Sequence, residues 1–203
     1  MLSLHEQFGE IDIYLFDQLL RRRILPSMRV LDVGCGSGRN LVYLLGCGYE
    51  VYGIDPDPTS IQVVRQLAAR LAPRLPADNF RVEAVECISF PEAFADVVLS
   101  SAVLHFARDD AQFTAMLRGT WTVLRKGGLL WCRLASSIGM EQEVRLIGGR
   151  RYRLPDGNER YLVDEALLAN LTRDLGGELL DPLKTTVVQH QRCMTTWVVR
   201  KVA

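Results

Sequence analysis

Short apolar runs alternate with longer amphipathic stretches along most of the chain. The apolar runs predict strands at about 29–33, 50–55, 80–85, 96–100 and 129–134. The amphipathic stretches predict helices at about 38–47, 58–71, 109–125 and 164–175, with Lys126-Gly127-Gly128 as a helix-ending turn. Strands that alternate with helices are typical of a parallel sheet with right-handed crossovers.

The two ends of the chain depart from this alternation. Apolar residues at helical spacing predict an N-terminal helix at about 10–24. Runs at 184–190 and 193–201 are joined by too few residues for a parallel crossover, so they predict an antiparallel edge hairpin. We therefore expect an α/β fold, a doubly wound, seven-stranded, mostly parallel Rossmann-like sheet with an antiparallel C-terminal edge hairpin. Without a linker or repeat, residues 1–203 are predicted to form a single domain.

Composition narrows the class of protein. Lys plus Arg and Asp plus Glu number 24 each, so net charge indicates neither a nucleic-acid nor a membrane partner. Five cysteines are scattered without a C-x-x-C pair, which fits a reducing cytoplasm and predicts no metal site. No apolar run is long enough to span a bilayer, and no signal-peptide core is found. We expect a cytoplasmic protein.

The most informative stretch follows the first predicted strand and reads Asp32-Val33-Gly34-Cys35-Gly36-Ser37-Gly38-Arg39-Asn40. A dinucleotide-binding turn has the spacing G-x-G-x-x-G, whereas here the third glycine comes one residue early and Arg39 takes its position. No Gly-Lys-Ser/Thr follows, which excludes a P-loop. Asp55 ends the second strand, 21 residues beyond Gly34, where an open α/β fold places the carboxylate that accepts ribose hydroxyls.

This turn resembles motif I of the class I S-adenosylmethionine-dependent methyltransferases. The segment 100–106 (Ser-Ser-Ala-Val-Leu-His-Phe) is similar to the one after strand four in many small-molecule enzymes of that family. Within the type 11 and type 12 methyltransferases, Gly36-x-Gly38-Arg39-Asn40 most resembles the tellurite-resistance-like branch. The resemblance implies S-adenosylmethionine as cofactor, S-adenosylhomocysteine as product, and in-line methyl transfer to an unidentified small-molecule acceptor.

The resemblance also implies roles for individual cofactor-binding residues. Gly34, Gly36 and Gly38 would let the backbone pass the methionine portion. The remaining expected contacts are Asp32 anchoring the turn or accepting from the ammonium group, Arg39 at the methionine carboxylate, Asp55 at the ribose, Pro56 against the adenine, and Ser100 at the crevice. Arg39 as a solvated arginine in the first turn of the helix fits equally well. The family's Gly-Asp-Ala after strand three is absent. Glu86, or its backbone, is therefore expected at the adenine amine and the Cys87 amide at a ring nitrogen, although Glu86 as a solvated loop acid fits equally well.

The sequence contains weaker signals for the acceptor-binding site than for the cofactor-binding site. His105 is a candidate general base, needed only if the nucleophile arrives protonated, and packing beneath the site is the alternative. The N-terminal helix at 10–24, with Tyr14, and an inserted hairpin at about 136–163, with Arg151 and Tyr152, are expected to cover the acceptor. For most residues of the helix, packing of its apolar face on the sheet is the alternative. Arginine and tyrosine there favour an anionic or aromatic acceptor, unless the hairpin is simply solvated. We expect a monomer or weak homodimer.

Three other functions stay open at this point. A nicotinamide-dependent (NAD) oxidoreductase would need a glycine where Arg39 stands. A non-catalytic S-adenosylmethionine-binding protein would need only the turn and Asp55. A nucleic-acid methyltransferase is disfavoured by the balanced charge and the lack of an Asn/Asp-Pro-Pro-Tyr/Phe motif. The acceptor atom is not specified by any of these patterns, since a fold does not determine its substrate.

Overall fold

The computed structural model describes residues 3–202. The strands in chain order are β1 (Arg29–Val33), β2 (Glu50–Asp55), β3 (Phe80–Val82), β4 (Ala95–Ser101), β5 (Leu124–Ala135), β6 (Arg145–Gly148), β7 (Arg151–Arg153), β8 (Glu159–Tyr161), β9 (Gly177–Leu179), β10 (Lys184–Val188) and β11 (Arg192–Lys201). The helices are α1 (Leu4–Phe8), α2 (Ile13–Leu20), α3 (Val42–Gly46), α4 (Pro58–Leu71), α5 (Asp110–Val123) and α6 (Glu165–Asp174).

A central sheet has the strand order β10-β11-β5-β4-β1-β2-β3. The pairs from β5 through β4, β1 and β2 to β3 are parallel, and β11 is antiparallel to both β5 and β10. This confirms the predicted α/β fold, the mostly parallel seven-stranded sheet and the C-terminal edge hairpin. The short β9 adds an eighth strand, which pairs with the last residues of β11. Strand β9 was not predicted, because it has only three residues and begins with a glycine, which is too short for a strand pattern.

Side chains from the two faces of the sheet form two separate apolar clusters. Val30 and Val97 lie in one cluster, whereas their chain neighbours Leu31 and Val98 lie in the other. This alternation follows from the two-residue period of a strand, and because both faces are apolar the strands read as continuous runs. Helix α4 covers the first face and α5 covers the second. The sheet is therefore doubly wound, with its carboxyl ends left open between the two layers.

Several helix boundaries differ from the sequence prediction. The helix expected at 38–47 spans only Val42–Gly46, because Gly38 has φ +86° and cannot join a right-handed helix. The helix expected at 10–24 spans Ile13–Leu20. Asp12 caps its first turn by accepting a hydrogen bond from the Tyr14 amide at 2.9 Å. Arg22, with φ +57°, lies in the left-handed region just beyond its end.

Two strand boundaries differ as well. The third strand stops at Val82 rather than near 85, because a 3-10 turn follows at Val85–Cys87. The fifth strand begins at Leu124, five residues before the predicted start. The residues expected to form a helix-ending turn lie instead in a bulge of β5, where the pairing with β4 shifts register. Gly127 lies in this bulge with φ +77°.

The insertion at 136–163 folds into its own antiparallel sheet of order β6-β7-β8. The predicted hairpin is β7–β8, which turns at Pro155-Asp156-Gly157, and β6 supplies a third strand. Leu154 and Leu162 anchor this sheet on Ala135 at the end of β5. The insertion therefore lies beside the carboxyl ends of the central strands. Among residues 3–202, no helix combines the length and apolar character needed to cross a bilayer.

Candidate functional site

Two adjacent cavities open at the carboxyl ends of the central strands. The β2-side cavity, about 450 Å³, is lined by Gly34, Asp55, Pro56, Ala84, Val85, Glu86, Ala102, Val103, Phe106, Gln112 and Met116. The β5-side cavity, about 280 Å³, is lined by Asp12, Arg39, Ser101, Ala102, His105, Arg133, Ala135, Leu154, Asp156, Asn158, Arg160, Val188, Arg192, Cys193 and Met194. Ala102 lines both, so the two cavities adjoin. Its φ of +61° is strained for a residue with a Cβ atom, a feature common at functional sites.

The glycine turn after β1 is held against the end of β2. The amides of Gly34 and Cys35 donate to the Ile54 carbonyl at 2.8 and 2.9 Å. A Cβ atom on Gly34 would lie 2.4 Å from Val103 Cγ2, whereas one on Gly36 would meet nothing within 4 Å. A Cβ atom on Gly38 would lie 2.8 Å from Val64 Cγ2 of α4. Gly34 and Gly38 are thus required for close packing, and Gly36 leaves open space beside the turn.

Asp55 fixes the mouth of the β2-side cavity. One oxygen accepts from the Gly36 amide and the other from the Asp57 amide, each at 2.9 Å. Each carboxylate oxygen retains capacity for a further hydrogen bond. Pro56 follows directly and lines the same cavity. The structure therefore places an anchored carboxylate, with unused acceptor capacity, at this cavity.

Asp32 is buried at the end of β1, beneath the glycine turn. Its Oδ1 atom has no hydrogen-bond partner in the described part of the chain. Burial raises the pKa of Asp32 to about 7, the Arg39 guanidinium opposes this rise, and the Asp55 carboxylate adds to it. An unpartnered buried carboxylate oxygen is costly, and Asp32 lines neither of the two cavities.

The far end of the β2-side cavity is formed by the turn after β3. Glu86 accepts a hydrogen bond from Gln112 Nε2 of α5 at 2.6 Å, and both residues line the cavity. Gln112 Oε1 in turn accepts from the Arg108 amide at 3.0 Å, which fixes the side-chain amide. The Cys87 amide donates to the Ala84 carbonyl at 2.9 Å inside the 3-10 turn, and the residue does not line the cavity. Gln112 is not predictable from the sequence, because no motif marks the first turn of α5.

The expectation that Ser100 lines the crevice is wrong. Strand β4 extends to Ser101, so Ser100 lies inside the strand, is fully buried and pairs in register with Cys132. Ser101 faces the β5-side cavity instead and accepts a hydrogen bond from Arg39 Nη2 at 3.1 Å. A one-residue shift along a strand transfers a side chain to the opposite face. Arg39 lines the β5-side cavity and is absent from the lining of the β2-side cavity.

His105 lies in the 3-10 turn at Leu104–Phe106 and lines the β5-side cavity. Its Nδ1 atom accepts a hydrogen bond from the Ala135 amide at 3.1 Å, so the proton of the neutral ring is on Nε2. Burial, together with the nearby Arg160 guanidinium, lowers the pKa of His105 to about 4. At neutral pH the ring therefore offers a proton from Nε2, which argues against a role as general base.

The N-terminal segment is fixed to the edge of the site by buried polar contacts. Asp12 forms an ion pair with Arg133 of β5, and the Asp12 amide donates to Asn40 Oδ1 at 3.0 Å. Tyr14 hydrogen-bonds Thr186 of β10 at 3.0 Å and lies outside both cavity linings. Asp12 and Arg133, rather than Tyr14, thus reach the β5-side cavity.

The insertion reaches the site through its hairpin turn. Arg151 pairs with Glu159 at 3.1 Å, and Tyr152 packs against the apolar anchor of the small sheet. Neither residue lines the β5-side cavity, whereas Leu154, Asp156, Asn158 and Arg160 do. The structure therefore separates Tyr14, Arg151 and Tyr152 from the cavity. Within residues 3–202, no cluster of three or more His, Cys, Asp or Glu residues has an arrangement able to hold a metal ion.

Comparison with known proteins agrees with this geometry. A family described as "Methyltransferase domain" matches residues 31–132, half of the chain. The chain is 34% identical over 109 residues to a ubiquinone biosynthesis O-methyltransferase of Methylocella silvestris, covering 54% of this chain and 40% of that protein. It is 30% identical over 178 residues to a tRNA U34 carboxymethyltransferase of Idiomarina loihiensis, covering 86% of this chain and 53% of that protein.

A solved structure shows the same fold. The 1,6-didemethyltoxoflavin-N1-methyltransferase of Burkholderia thailandensis, solved with 1,6-didemethyltoxoflavin and S-adenosylhomocysteine bound, superimposes with a TM-score of 0.71. The identity is 22%, over 96% of this chain and 80% of that structure. The chain spans about half of the length of the curated relatives that it matches.

Proposed function

The chain belongs to the methyltransferase-domain family, and from this premise we propose that it transfers a methyl group from S-adenosylmethionine to a small-molecule acceptor. The observation that carries the proposal is the pair of adjoining cavities that share Ala102. One has a fixed carboxylate at its mouth, and the other is lined by guanidinium groups and His105. Methyl transfer needs such an arrangement, because two reactants must meet in line within one site.

The residues present fit the cofactor. The unpartnered Oδ1 of Asp32 would accept from the ammonium group, and Arg39 would pair with the methionine carboxylate. The space beside Gly36 admits the ligand close to the backbone. Asp55 would accept the ribose hydroxyls with the lone pairs that its two backbone contacts leave free. Charged groups on the chain thus match the charged and hydroxyl groups of the ligand.

The adenine would occupy the remainder of the β2-side cavity. Pro56, Val85 and Met116 supply apolar contacts there. Glu86 would accept from the adenine amine, with Gln112 holding the carboxylate in place through the 2.6 Å hydrogen bond. This assignment keeps Glu86 in the role expected from the sequence, and it leaves out Cys87, whose amide is used within its own turn.

The bound cofactor supplies a methyl group that is already activated by its sulfonium. The chain then has to orient the acceptor and exclude water from the junction of the two cavities. His105 would hold the acceptor by donating from Nε2, and no residue on the described chain is assigned as a general base. The N-terminal segment and the insertion would cover the β5-side cavity. The Arg39-Asn40 pair supports placement in the tellurite-resistance-like branch.

Calorimetry with S-adenosylmethionine, S-adenosylhomocysteine and NAD tests the cofactor assignment. We expect the first two to bind and NAD to give no heat. Asp55→Asn should weaken S-adenosylhomocysteine binding about 10- to 100-fold, the range of a charge-assisted hydrogen bond. Asp57→Asn is the matched control, because Asp57 caps α4 and lines neither cavity. Binding of NAD alone, or equal affinity of the wild type and Asp55→Asn for S-adenosylhomocysteine, would contradict the proposal.

Transfer itself is tested by incubating the protein with S-adenosylmethionine and fractionated small-molecule extracts. The measured quantity is S-adenosylhomocysteine formed above the rate without extract. An extract-dependent rate that is lost in Asp55→Asn and kept in Asp57→Asn supports the enzyme. Tight cofactor binding with no such rate in any fraction identifies a non-catalytic binding protein instead.

A further inference from the structure

The β5-side cavity has an excess of guanidinium groups over carboxylates. Four arginines line it, against two aspartates; they are Arg39, Arg133, Arg160 and Arg192, with Asp12 and Asp156. Arg133 is neutralised by its ion pair with Asp12. Arg39 contacts Ser101 and is assigned to the cofactor under the proposed function. Arg160 and Arg192 remain, opposed only by Asp156, which leaves a net charge of about one positive unit.

Arg160 is positioned but not neutralised. Its Nη1 atom donates to the Glu159 carbonyl at 2.7 Å, and its guanidinium carbon lies 4.8 Å from the centroid of the Phe106 ring. These contacts hold the side chain against the turn that carries His105, and both partners are uncharged. In residues 3–202, neither Arg160 nor Arg192 forms an ion pair with any carboxylate. The two cations are therefore available to a ligand.

The uncharged part of the lining is mixed. Leu154, Ala135 and Met194 supply apolar contacts, and Ser101 and Asn158 supply polar ones. A volume of about 280 Å³ is just under the range of small-ligand pockets, so the ligand has few non-hydrogen atoms. His105 adds one neutral hydrogen-bond donor. A small ligand with one negative charge matches the size and the net charge of this cavity.

We infer that the methyl acceptor is a small monocarboxylic acid whose carboxylate is held by Arg160 and Arg192. The inference rests on the proposed function and specifies its substrate class. A monoanion matches a net charge of one, whereas a doubly charged phosphate would lie close to Asp156 without a compensating cation. Guanidinium groups suit a carboxylate because they present paired donors in a plane.

The test measures binding to protein saturated with S-adenosylhomocysteine. The probes are benzoate, 4-hydroxybenzoate and 3-phenylpropanoate, each compared with its neutral amide, together with inorganic phosphate. We expect at least one acid to bind about 10-fold more tightly than its amide, as a charge-assisted contact requires. Phosphate should bind more weakly than that acid. Equal or absent binding of every acid and amide pair, or tighter binding of phosphate, would overturn the inference.

Variants locate the contact. Arg160→Gln should reduce the affinity of the preferred acid about 10-fold and leave its amide unaffected. Arg145→Gln is the control, because Arg145 is exposed on β6 of the same small sheet and lines neither cavity. S-adenosylhomocysteine affinity should be unchanged in both variants, which also shows that they fold. If Arg160→Gln binds the acid as tightly as Arg145→Gln does, the carboxylate assignment is wrong.

The two proposals fail in different ways. Loss of S-adenosylhomocysteine binding in the wild type removes the proposed function, whatever the acids do. Normal S-adenosylhomocysteine binding without discrimination between acid and amide removes only the acceptor class. Measuring S-adenosylhomocysteine binding first, and acid and amide binding second, therefore separates the two results.

Discussion

The cofactor side of the proposed site is the β2-side cavity with the glycine turn, and the acceptor side is the β5-side cavity with the segments around it. The two sides differ in how far apart in the sequence their contacting residues lie. On the cofactor side, the glycine turn contacts Asp55 only 19 residues along the chain, and the contact is a backbone hydrogen bond. On the acceptor side, Asp12 meets Arg133 across 121 residues, and Tyr14 meets Thr186 across 172. A short motif can encode the first kind of contact. The second exists only after the whole sheet has assembled, so sequence patterns reveal the cofactor more readily than the acceptor.

The largest effect is expected on the acceptor side, from Asp12→Asn. Asparagine keeps the cap on α2 but leaves the Arg133 guanidinium without its counter-charge. Asp12 is 4% exposed, and removal of one partner from a buried pair costs about 3 kcal/mol. Urea unfolding measures the loss. Asp17→Asn is the control, because Asp17 forms partly exposed ion pairs with Arg21 and Lys184 worth about 1 kcal/mol or less. Equal losses of unfolding free energy in the two variants would show that the Asp12–Arg133 pair stabilises the fold no more than a partly exposed ion pair does.

The next largest effect is expected on the cofactor side, from alanine at two glycines of the turn. Gly34 and Gly36 both have positive φ, at +71° and +52°, so alanine carries a similar backbone penalty of about 1 kcal/mol at each. Only at Gly34 would the new Cβ atom collide with Val103. We expect Gly34→Ala to lose about 2 to 3 kcal/mol of unfolding free energy and Gly36→Ala about 1 kcal/mol. Similar losses in urea titrations would mean that Val103 moves aside.

The central sheet was predictable because its strands are buried on both faces and its helices are amphipathic. The glycine turn and Asp55 were predictable because their contacts lie close in sequence. Ser100 was misplaced because the end of β4 was set one residue too early, and side chains alternate between faces at that spacing. The strand itself was predicted correctly, and the error lay in where it ends.

The acceptor side was harder for a physical reason. Arg133 lies in an apolar strand, and its partner is far away in the chain, so no local pattern identifies it as part of a site. In the insertion, the arginine-rich run favours Arg151, but the hairpin places Arg151 opposite Tyr161, and its side chain forms an ion pair with Glu159. Arg160, on the opposite strand, reaches the cavity. Register depends on the turn and on packing against β5, which composition does not show.

The pH dependence of stability tests His105, which lies at the junction between the cofactor side and the acceptor side. Burial lowers the pKa of His105 to about 4, from about 6.5 in the unfolded chain, so the unfolded state binds more protons between these values. The stability that neutral His105 contributes is present above pH 6.5 and is lost as pH falls toward 4. Relative to His105→Asn, the wild type should lose about 2 kcal/mol between pH 7 and pH 4.5.

Asp32 acts in the opposite direction, because burial raises its pKa to about 7 and its folded form binds the extra proton. Its contribution to stability therefore falls as pH rises from about 4 to 7. Comparing the wild type with His105→Asn removes this contribution, since both proteins retain Asp32. Unfolding free energies that run parallel across the whole range would show that His105 titrates normally.

The smallest effect concerns the adenine end of the β2-side cavity, where one contact depends on a residue that the sequence did not reveal. Gln112 fixes Glu86 through a 2.6 Å hydrogen bond, so Gln112→Leu frees the carboxylate without removing it. We expect affinity for S-adenosylhomocysteine to fall about 5-fold, corresponding to about 1 kcal/mol. The inosine analogue, which lacks the 6-amino group, should bind the variant and the wild type equally, because it cannot donate to Glu86. A 5-fold loss for both ligands would instead indicate a change in cavity shape. In that case even the cofactor side would depend on long-range packing, and the contrast between the two sides would be one of degree.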